Sequence, residues 1–296
     1  MTALSLAGEV TAGDLTAGDL TAGNLTNSLA PIGLDELNEL AALQTRVDRK
    51  YLVEVNALDA VVADLDADTR VLEIDGSRAS LYESVYFDTA GLDSYQAAAH
   101  RRRRRFKVRT RAYLDSTECY LEVKTRGGRS LTVKERVEHP VEKRSRLTGD
   151  GLDYVDFALA GAGIDGIGAT SLHATLATRY RRTTLYVPSS DSRATIDVDL
   201  SWTETDDRGT AGAGLRTPAL AIVETKSGST PSRVDRVLWS HGLRPVNISK
   251  YGVGMAAIHR ELPANKWHRV LESQLRPAMV STHPSLTPHP IQGSTS

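Results

Sequence analysis

The chain has 296 residues, 40% of them hydrophobic, and a formal net charge of −1. That is enough for one large domain or two small ones with an ample core, and too near neutral for a general nucleic-acid or membrane binder. A lone cysteine, Cys119, excludes an intramolecular disulfide and argues against a cysteine-based metal site.

No apolar run reaches the roughly 18 residues of a membrane-spanning helix. The N-terminal stretch lacks the basic-then-apolar order of a secretory signal, so a soluble cytoplasmic protein is expected. Residues 11–25 read TAGDL, TAGDL, TAGNL, three copies of a five-residue unit. Solenoids need many stacked repeats to bury a core, so residues 1–31 are expected to be a disordered low-complexity leader. Residues 31–43 predict a helix, with Pro31 near its start, Asp35 and Glu36 early, and Leu34, Leu37, Leu40 and Leu43 at three-residue spacing.

Residues 45–55 alternate as a strand, with Arg46, Asp48 and Lys50 on one face. A short helix follows at 57–66, a strand at 82–89 and a short polar helix at 94–99. Further on, 149–166 reads as a helix with loops, and 177–186, 193–202 and 220–226 as strands. Residues 231–241 predict an amphipathic helix with Val234, Val237 and Leu238 inward. Residues 247–258 begin extended and turn helical. Beyond Leu262 the chain is rich in Pro, Ser, Thr and His, and 263–296 is expected to be a mostly disordered tail. Seven or eight alternating strands with few helices fit an antiparallel barrel better than a parallel α/β fold.

The middle of the chain concentrates positive charge. Residues 93–147 hold 16 Lys/Arg against 7 Asp/Glu, whereas 1–91 is rich in acidic residues. The cations recur at every second position within strand-like runs. Lys107, Arg109 and Arg111 share one face, opposite Val108, Thr110 and Ala112; Glu122 pairs with Lys124, and Lys134 with Arg136. A solvated sheet face is the simplest source of such a row, but solvated faces mix signs and this one is mostly positive over three runs. Asp48/Lys50, Asp197/Asp199 and Glu224/Lys226 repeat the two-residue spacing, with Arg182 and Lys250 added singly. A barrel lined this way demands a compensating ligand. Phosphate chains suit it, since Arg grips phosphate bidentately and Lys meets it as a point charge. The interleaved carboxylates suit a hard divalent cation, Mg²⁺ or Mn²⁺, with Glu224 the first choice as ligand and Glu122 the second. No histidine lies within these runs; His100 and His139 flank them and are expected at the surface. The run Arg101–Arg105 admits two readings, a nucleic-acid contact or a funnel for anions. Apart from Phe106 it lacks interleaved aromatics, and no nucleic-acid partner is expected.

Taken in order, VDRKY at 47–51, SVYFDT at 84–89, KVRTR at 107–111, LEVK at 121–124, VKER at 133–136, YRR at 180–182, ID at 196–197, VETK at 223–226 and ISKY at 248–251 resemble the VTC domain. This is the polyphosphate polymerase domain of the triphosphate tunnel (CYTH-like) superfamily, and the resemblance, to proteins of bacterial type, runs over 32–262. It implies an α+β fold: an eight-stranded antiparallel β tunnel, a closed barrel with flanking helices. It implies transfer of the γ-phosphate of ATP to a polyphosphate chain, with Mn²⁺ or Mg²⁺. Lys50, Arg109, Arg111, Lys124, Lys134, Arg182 and Lys250 would be the phosphate-gripping catalytic positions. Lys107, Arg136, Tyr180, Lys226 and Ser249 would contact substrate, and Glu224 would hold the metal. The expected partners are ATP or another triphosphate, polyphosphate and orthophosphate. A membrane partner in trans is left open, because family members elsewhere have one. Three positions depart from the pattern: Asp48 stands where Glu is common, Arg46 where the superfamily has a metal-binding Glu, and Asn247 where the eukaryotic polymerase has a lysine. Hydrolysis of a triphosphate by water, or phosphate sensing without turnover, are the alternative functions.

Overall fold

The structure, a computed structural model, describes residues 26–40, 47–126 and 132–282. In chain order its elements are β1 (Ala30–Ile32), α1 (Leu34–Leu40), β2 (Val47–Glu54), α2 (Leu58–Ala63), β3 (Arg70–Leu72), β4 (Ser80–Asp88), α3 (Asp93–Ala99), β5 (Arg105–Tyr113), β6 (Cys119–Arg126) and β7 (Thr132–Glu138). These are followed by α4 (Gly149–Gly161), β8 (His173–Val187), β9 (Ser192–Thr205), β10 (Ala211–Thr217), β11 (Leu220–Ser227), α5 (Arg233–Ser240), α6 (Lys250–Ile258) and β12 (Val280–Ser281). The repeat at 11–25 and Arg46 lie outside the described residues.

One antiparallel path carries the site. Its strands run β7-β6-β5-β4-β8-β9, and β11 and β2 continue it from the N-terminal half of β9. The C-terminal half of β9 pairs instead with β10, and β3 joins the far end of β8 and carries β1 in parallel. The expectation of a closed barrel is corrected here. No backbone pairing joins β2 to β7 among the described residues, so the sheet remains open at that seam. A physical reason is visible on β7, where Glu135, Arg136, Val137 and Glu138 are all exposed and closure would bury little apolar surface.

The sheet nevertheless curls. Lys124 on β6 lies within electrostatic reach of Asp48 and Lys50 on β2 and Glu224 on β11, and Lys107 on β5 within reach of Lys50. Strands from opposite ends of the path therefore look at one another across a trough.

Alternation assigns the two faces. On β5, Phe106, Val108, Thr110 and Ala112 are buried, while Lys107, Arg109 and Arg111 between them are only partly so. The apolar row faces outward and is covered by helices. Val85, Phe87, Phe106, Val108, Leu121 and Val123 pack with Val155 and Leu159 of α4. Tyr51, Val53, Ile196, Ala221 and Val223 pack with Leu58, Val61 and Val62 of α2 and Val234, Val237 and Leu238 of α5. Each such aliphatic side chain contributes about 1.5–3 kcal/mol on full burial. Helix α5 starts at a capping box: Asp235 N donates to Ser232 Oγ at 3.1 Å and Ser232 N to Asp235 Oδ2 at 2.7 Å. Asp235 also accepts from the Tyr51 hydroxyl at 2.7 Å, which locks the helix to β2.

Helix α6 closes one end of the inward face. Tyr251 and Met255 pack with Tyr86, Leu176, Trp202 and Ile222. Two glycines permit the approach: a Cβ on Gly254 would sit 2.2 Å from Trp202 Cδ1, and one on Gly252 2.2 Å from Trp267 Cζ2. Residues 265–278, assigned from composition to the tail, form short helical pieces that bury Trp267, Val270, Leu271 and Leu275 in the same cluster. Likewise Ala30 and Pro31, expected in the leader, belong to strand β1.

Candidate functional site

The inward face gathers the charged side chains in cross-strand register. Arg109 stands opposite Glu122, which stands opposite Arg136; Lys107 stands opposite Lys124, which stands opposite Lys134; Glu224 stands opposite Lys50. Arg182 stands opposite Asp197. The side chain of Lys134 lies outside the described residues, and its strand position alone is set.

Three inner carboxylates are each held by two cations. Glu122, only 4% exposed, accepts from Arg109 Nε at 2.9 Å and Nη2 at 2.7 Å, with Arg111 Nη2 at 3.4 Å. Asp197 is fully buried and accepts a two-pronged bond from Arg182 at 2.6 and 2.8 Å, together with the ammonium of Lys250. Glu224 meets Lys50 at 3.0 Å and Lys226 at 3.9 Å. Burial pushes the Glu224 pKa up, but Lys50, Lys226 and Arg182 more than offset it and hold the carboxyl below its ordinary range. For Asp197, too, burial is outweighed, by Arg182 and Lys250. Lys50, Arg109, Arg111, Arg182, Lys226 and Lys250 are thus fixed in place by counter-charges, which keeps them ready for an anion. The Arg111 Nε–H is buried and meets no acceptor among the described residues.

Lys107 differs. Burial first, then Arg109, Lys124 and Lys50, push its ammonium well below the usual lysine value. Its Nζ donates to Ser249 Oγ at 2.8 Å, and Ser249 caps α6 by accepting from Gly252 N at 3.3 Å. Lys250 follows as the first residue of that helix, with its carbonyl accepting from Trp202 Nε1 at 2.8 Å. The helix N-terminus therefore adds its positive end to the trough.

The far end of the trough is aromatic. The Tyr82 and Tyr180 rings stack at 5.4 Å with planes 7° apart, and Tyr113 lies 4.8 Å from Tyr82. Arg182 sits 5.2 Å from both the Tyr82 and Tyr180 rings, Lys250 4.2 Å from Tyr180, and Arg136 4.7 Å from Tyr120. Tyr86 donates no apolar contact alone: its hydroxyl accepts from Arg109 Nη1 at 3.2 Å.

Lys50, Lys107, Arg109, Arg111, Glu122, Lys124, Arg136, Tyr180, Arg182, Glu224, Lys226, Ser249 and Lys250 are thus brought onto or beside one face. Tyr82 and Tyr86 were missed, although the alternation Tyr82, Ser84, Tyr86 in β4 places all three on the charged side. Asp199 does not continue the row from Asp197, because a bulge puts its backbone at a φ of 53°. His139 is buried rather than at the surface, its Nε2 3.1 Å from the carbonyls of Lys143 and Arg146.

A divalent ion finds limited provision in the protein itself. Among the described residues no group of three or more His, Cys, Asp or Glu converges. Glu122 and Asp197 are gripped by guanidinium groups, whereas Glu224 is ion-paired with the ammonium groups of Lys50 and Lys226, which are single-point partners on flexible stems. The donor set fits an ion that takes one carboxylate here and its other ligands from phosphate oxygens and water.

Residues 45–259 match the profile of the VTC domain. No curated protein matches the chain. Among solved structures, HpAC1 from Hippeastrum, described as having a dominant triphosphatase activity, is 15% identical with a TM-score of 0.46, covering 72% of this chain and 96% of that one. The PH1819 protein of Pyrococcus horikoshii OT3 is 12% identical with a TM-score of 0.36, covering 68% of this chain and 92% of its own. A conserved hypothetical protein of Pyrococcus furiosus is 11% identical with a TM-score of 0.34, covering 67% and 88%.

Proposed function

The chain belongs to the VTC domain family, and from that premise we propose that it is a phosphotransferase that moves the γ-phosphate of ATP onto a polyphosphate chain in the basic trough. The observation that carries this reading is the pairing of inner carboxylates with cations: Glu122 with Arg109 and Arg111, Asp197 with Arg182 and Lys250, Glu224 with Lys50 and Lys226. Phosphoryl transfer needs positioning and charge neutralisation more than covalent help from the protein. Pre-set guanidinium and ammonium groups supply both at little reorganisation cost. Arg109, Arg111, Lys124 and Arg182 grip the phosphate oxygens, and Lys50, Lys226 and Lys250 add point charges. Lys107 and Ser249 hold the end of the triphosphate against helix α6, while the partly exposed Tyr82, backed by the buried Tyr180, offers a ring to a nucleobase.

Polyphosphate carries its own nucleophilic oxygen, so no histidine base is needed at the site. Glu224 would hold a Mn²⁺ or Mg²⁺ ion brought with the triphosphate, and such an ion would neutralise charge on the phosphate oxygens. No helix among the described residues is long and apolar enough to cross a membrane.

Hydrolysis is the second reading. Asn247 is exposed three residues before Lys250 and supplies no cation there, which weakens the hold on an incoming polymer and favours water as acceptor. Product analysis separates the readings. Protein incubated with ATP and Mn²⁺ is expected to yield ADP together with long-chain polyphosphate. ADP with orthophosphate alone would support the hydrolase, and tight binding without turnover would support a sensor.

A further inference from the structure

The arginine run at 101–105 is not used by the trough as described, yet part of it continues the same row. Arg105 and Arg126 stand opposite one another on β5 and β6, two residues beyond the Lys107–Lys124 pair and so on the same face. Lys266, which follows α6 in the chain, stands with them. Burial, then Arg105, Arg101 and Arg126, hold its ammonium below the usual lysine value, and its Nζ lies 4.9 Å from the Trp267 ring centroid. Arg101 takes a left-handed φ of 55° at the end of α3, with Arg102 N donating to Ala97 O at 2.9 Å, and this turn leads the chain from the helix into β5. Arg104 is separate: its guanidinium lies against Gly163 on the outer side.

The contrast with the interior decides what this cluster does. Inside, Glu122, Asp197 and Glu224 each tie down two cations. At the end of the row, no carboxylate is paired with Arg101, Arg105, Arg126 or Lys266 among the described residues. Arg105 Nη1 donates instead to the Arg102 carbonyl at 2.7 Å. Like charges gathered without counter-ions repel one another, and a bound polyanion relieves that repulsion.

We propose that Arg101, Arg105, Arg126 and Lys266 form an external polyanion site, which holds the part of a long inorganic polyphosphate chain lying beyond the three phosphates in the trough. This rests on the functional reading above and adds a subsite outside the reacting centre. A flexible chain of phosphates follows the row without a break, because Lys107 and Lys124 already lead to Arg105 and Arg126. Nucleic acid is the poorer occupant: Phe106 and Trp267, the aromatics at this end, are buried and give bases no face to stack on.

The test compares the whole chain with a variant carrying Arg101→Gln, Arg105→Gln, Arg126→Gln and Lys266→Gln. Affinities are measured for tripolyphosphate, for long-chain polyphosphate and for a single-stranded RNA oligomer over a salt series. Long-chain affinity is expected to fall about tenfold or more in the variant, with the slope of log affinity against log salt flattening by about 3, while tripolyphosphate affinity stays within about twofold. Tripolyphosphate binding also reports that the variant is folded. Equal losses for both phosphates, no loss for either, or RNA binding as tight as long-chain polyphosphate would each overturn the proposal. Absence of tripolyphosphate binding in the unaltered protein would overturn the functional reading itself. Normal tripolyphosphate binding with no advantage for the long chain would overturn the external site alone.

Discussion

The Nζ of Lys107 donates a hydrogen bond to the Oγ of Ser249 at 2.8 Å, joining the N-terminal part of β5 to the residue that caps α6. Two elements far apart in the chain thus meet at the trough. The lysine there is crowded by other cations, so its charge state and the occupancy of the site are linked.

That linkage has a definite sign. Burial, then Arg109, Lys124 and Lys50, hold Lys107 below the ordinary value of 10.5. A bound polyphosphate counters the neighbouring cations and draws a proton onto the amine, so affinity falls as pH rises across the interval between the depressed value and 10.5. In the free protein the unfolded chain binds the extra proton over the same interval, and stability therefore rises with pH there. Calorimetric titration with tripolyphosphate over a pH series reads this linkage, and comparison with Lys107→Met cancels the protons that the ligand itself exchanges. More proton uptake is expected in the unaltered protein than in Lys107→Met. Equal uptake in both would contradict the assignment.

Glu122 holds Arg109 and Arg111 from a nearly fully buried position. Replacement by glutamine leaves two guanidinium groups without their counter-charge, at a cost to stability of about 3 kcal/mol. Denaturant unfolding of Glu122→Gln should show that loss, and added tripolyphosphate should restore part of it. A variant as stable as the unaltered protein would show that Glu122 is not the counter-charge of the row.

Glu224 faces ammonium groups rather than arginine forks. Glu224→Gln is expected to bind tripolyphosphate without metal at least as tightly as the unaltered protein, and to lose most of the further gain that Mn²⁺ confers. Titration with and without the ion reads both effects. An undiminished metal response would move the ion to another carboxylate.

Gly254 lies where a Cβ would come within 2.2 Å of Trp202 and 2.9 Å of Leu176. Gly254→Ala should therefore lower stability by about 1–3 kcal/mol through overpacking. By shifting α6 it should also weaken phosphate binding at Ser249 and Lys250. A thermal melt and a tripolyphosphate titration check the two effects, and a variant unchanged in both would show that the helix has room to spare.

Much of this was legible because strand side chains have a period of two. Lys107, Arg109 and Arg111 could be assigned to one face, and Glu224 and Lys226 to another row, before any contact was known. What the sequence did not reveal came from pairing. β10 is a Gly- and Ala-rich stretch with weak strand character that is drawn into the sheet by β9. The bulge at Asp199 breaks a period that looks continuous on paper. Trp267, Val270, Leu271 and Leu275 have helical spacing, but it is hidden by the Pro- and Ser-rich residues after them. Closure of the barrel rests on whether two edges pair, and local alternation carries no information about that. The Tyr82–Tyr180 stack likewise depends on the register of β4 against β8.

The most direct measurement is tripolyphosphate affinity in the unaltered protein and in a Lys124→Gln/Arg136→Gln double variant. Both side chains belong to the inward rows and are exposed, so removing them leaves the buried carboxylate pairs intact. The account predicts that the unaltered protein binds and that the double variant binds about tenfold or more weakly, since each lost charge-assisted contact is worth about 1.5–3 kcal/mol before solvent screening. Equal affinity in the two proteins would contradict the claim that this face is where the phosphates lie.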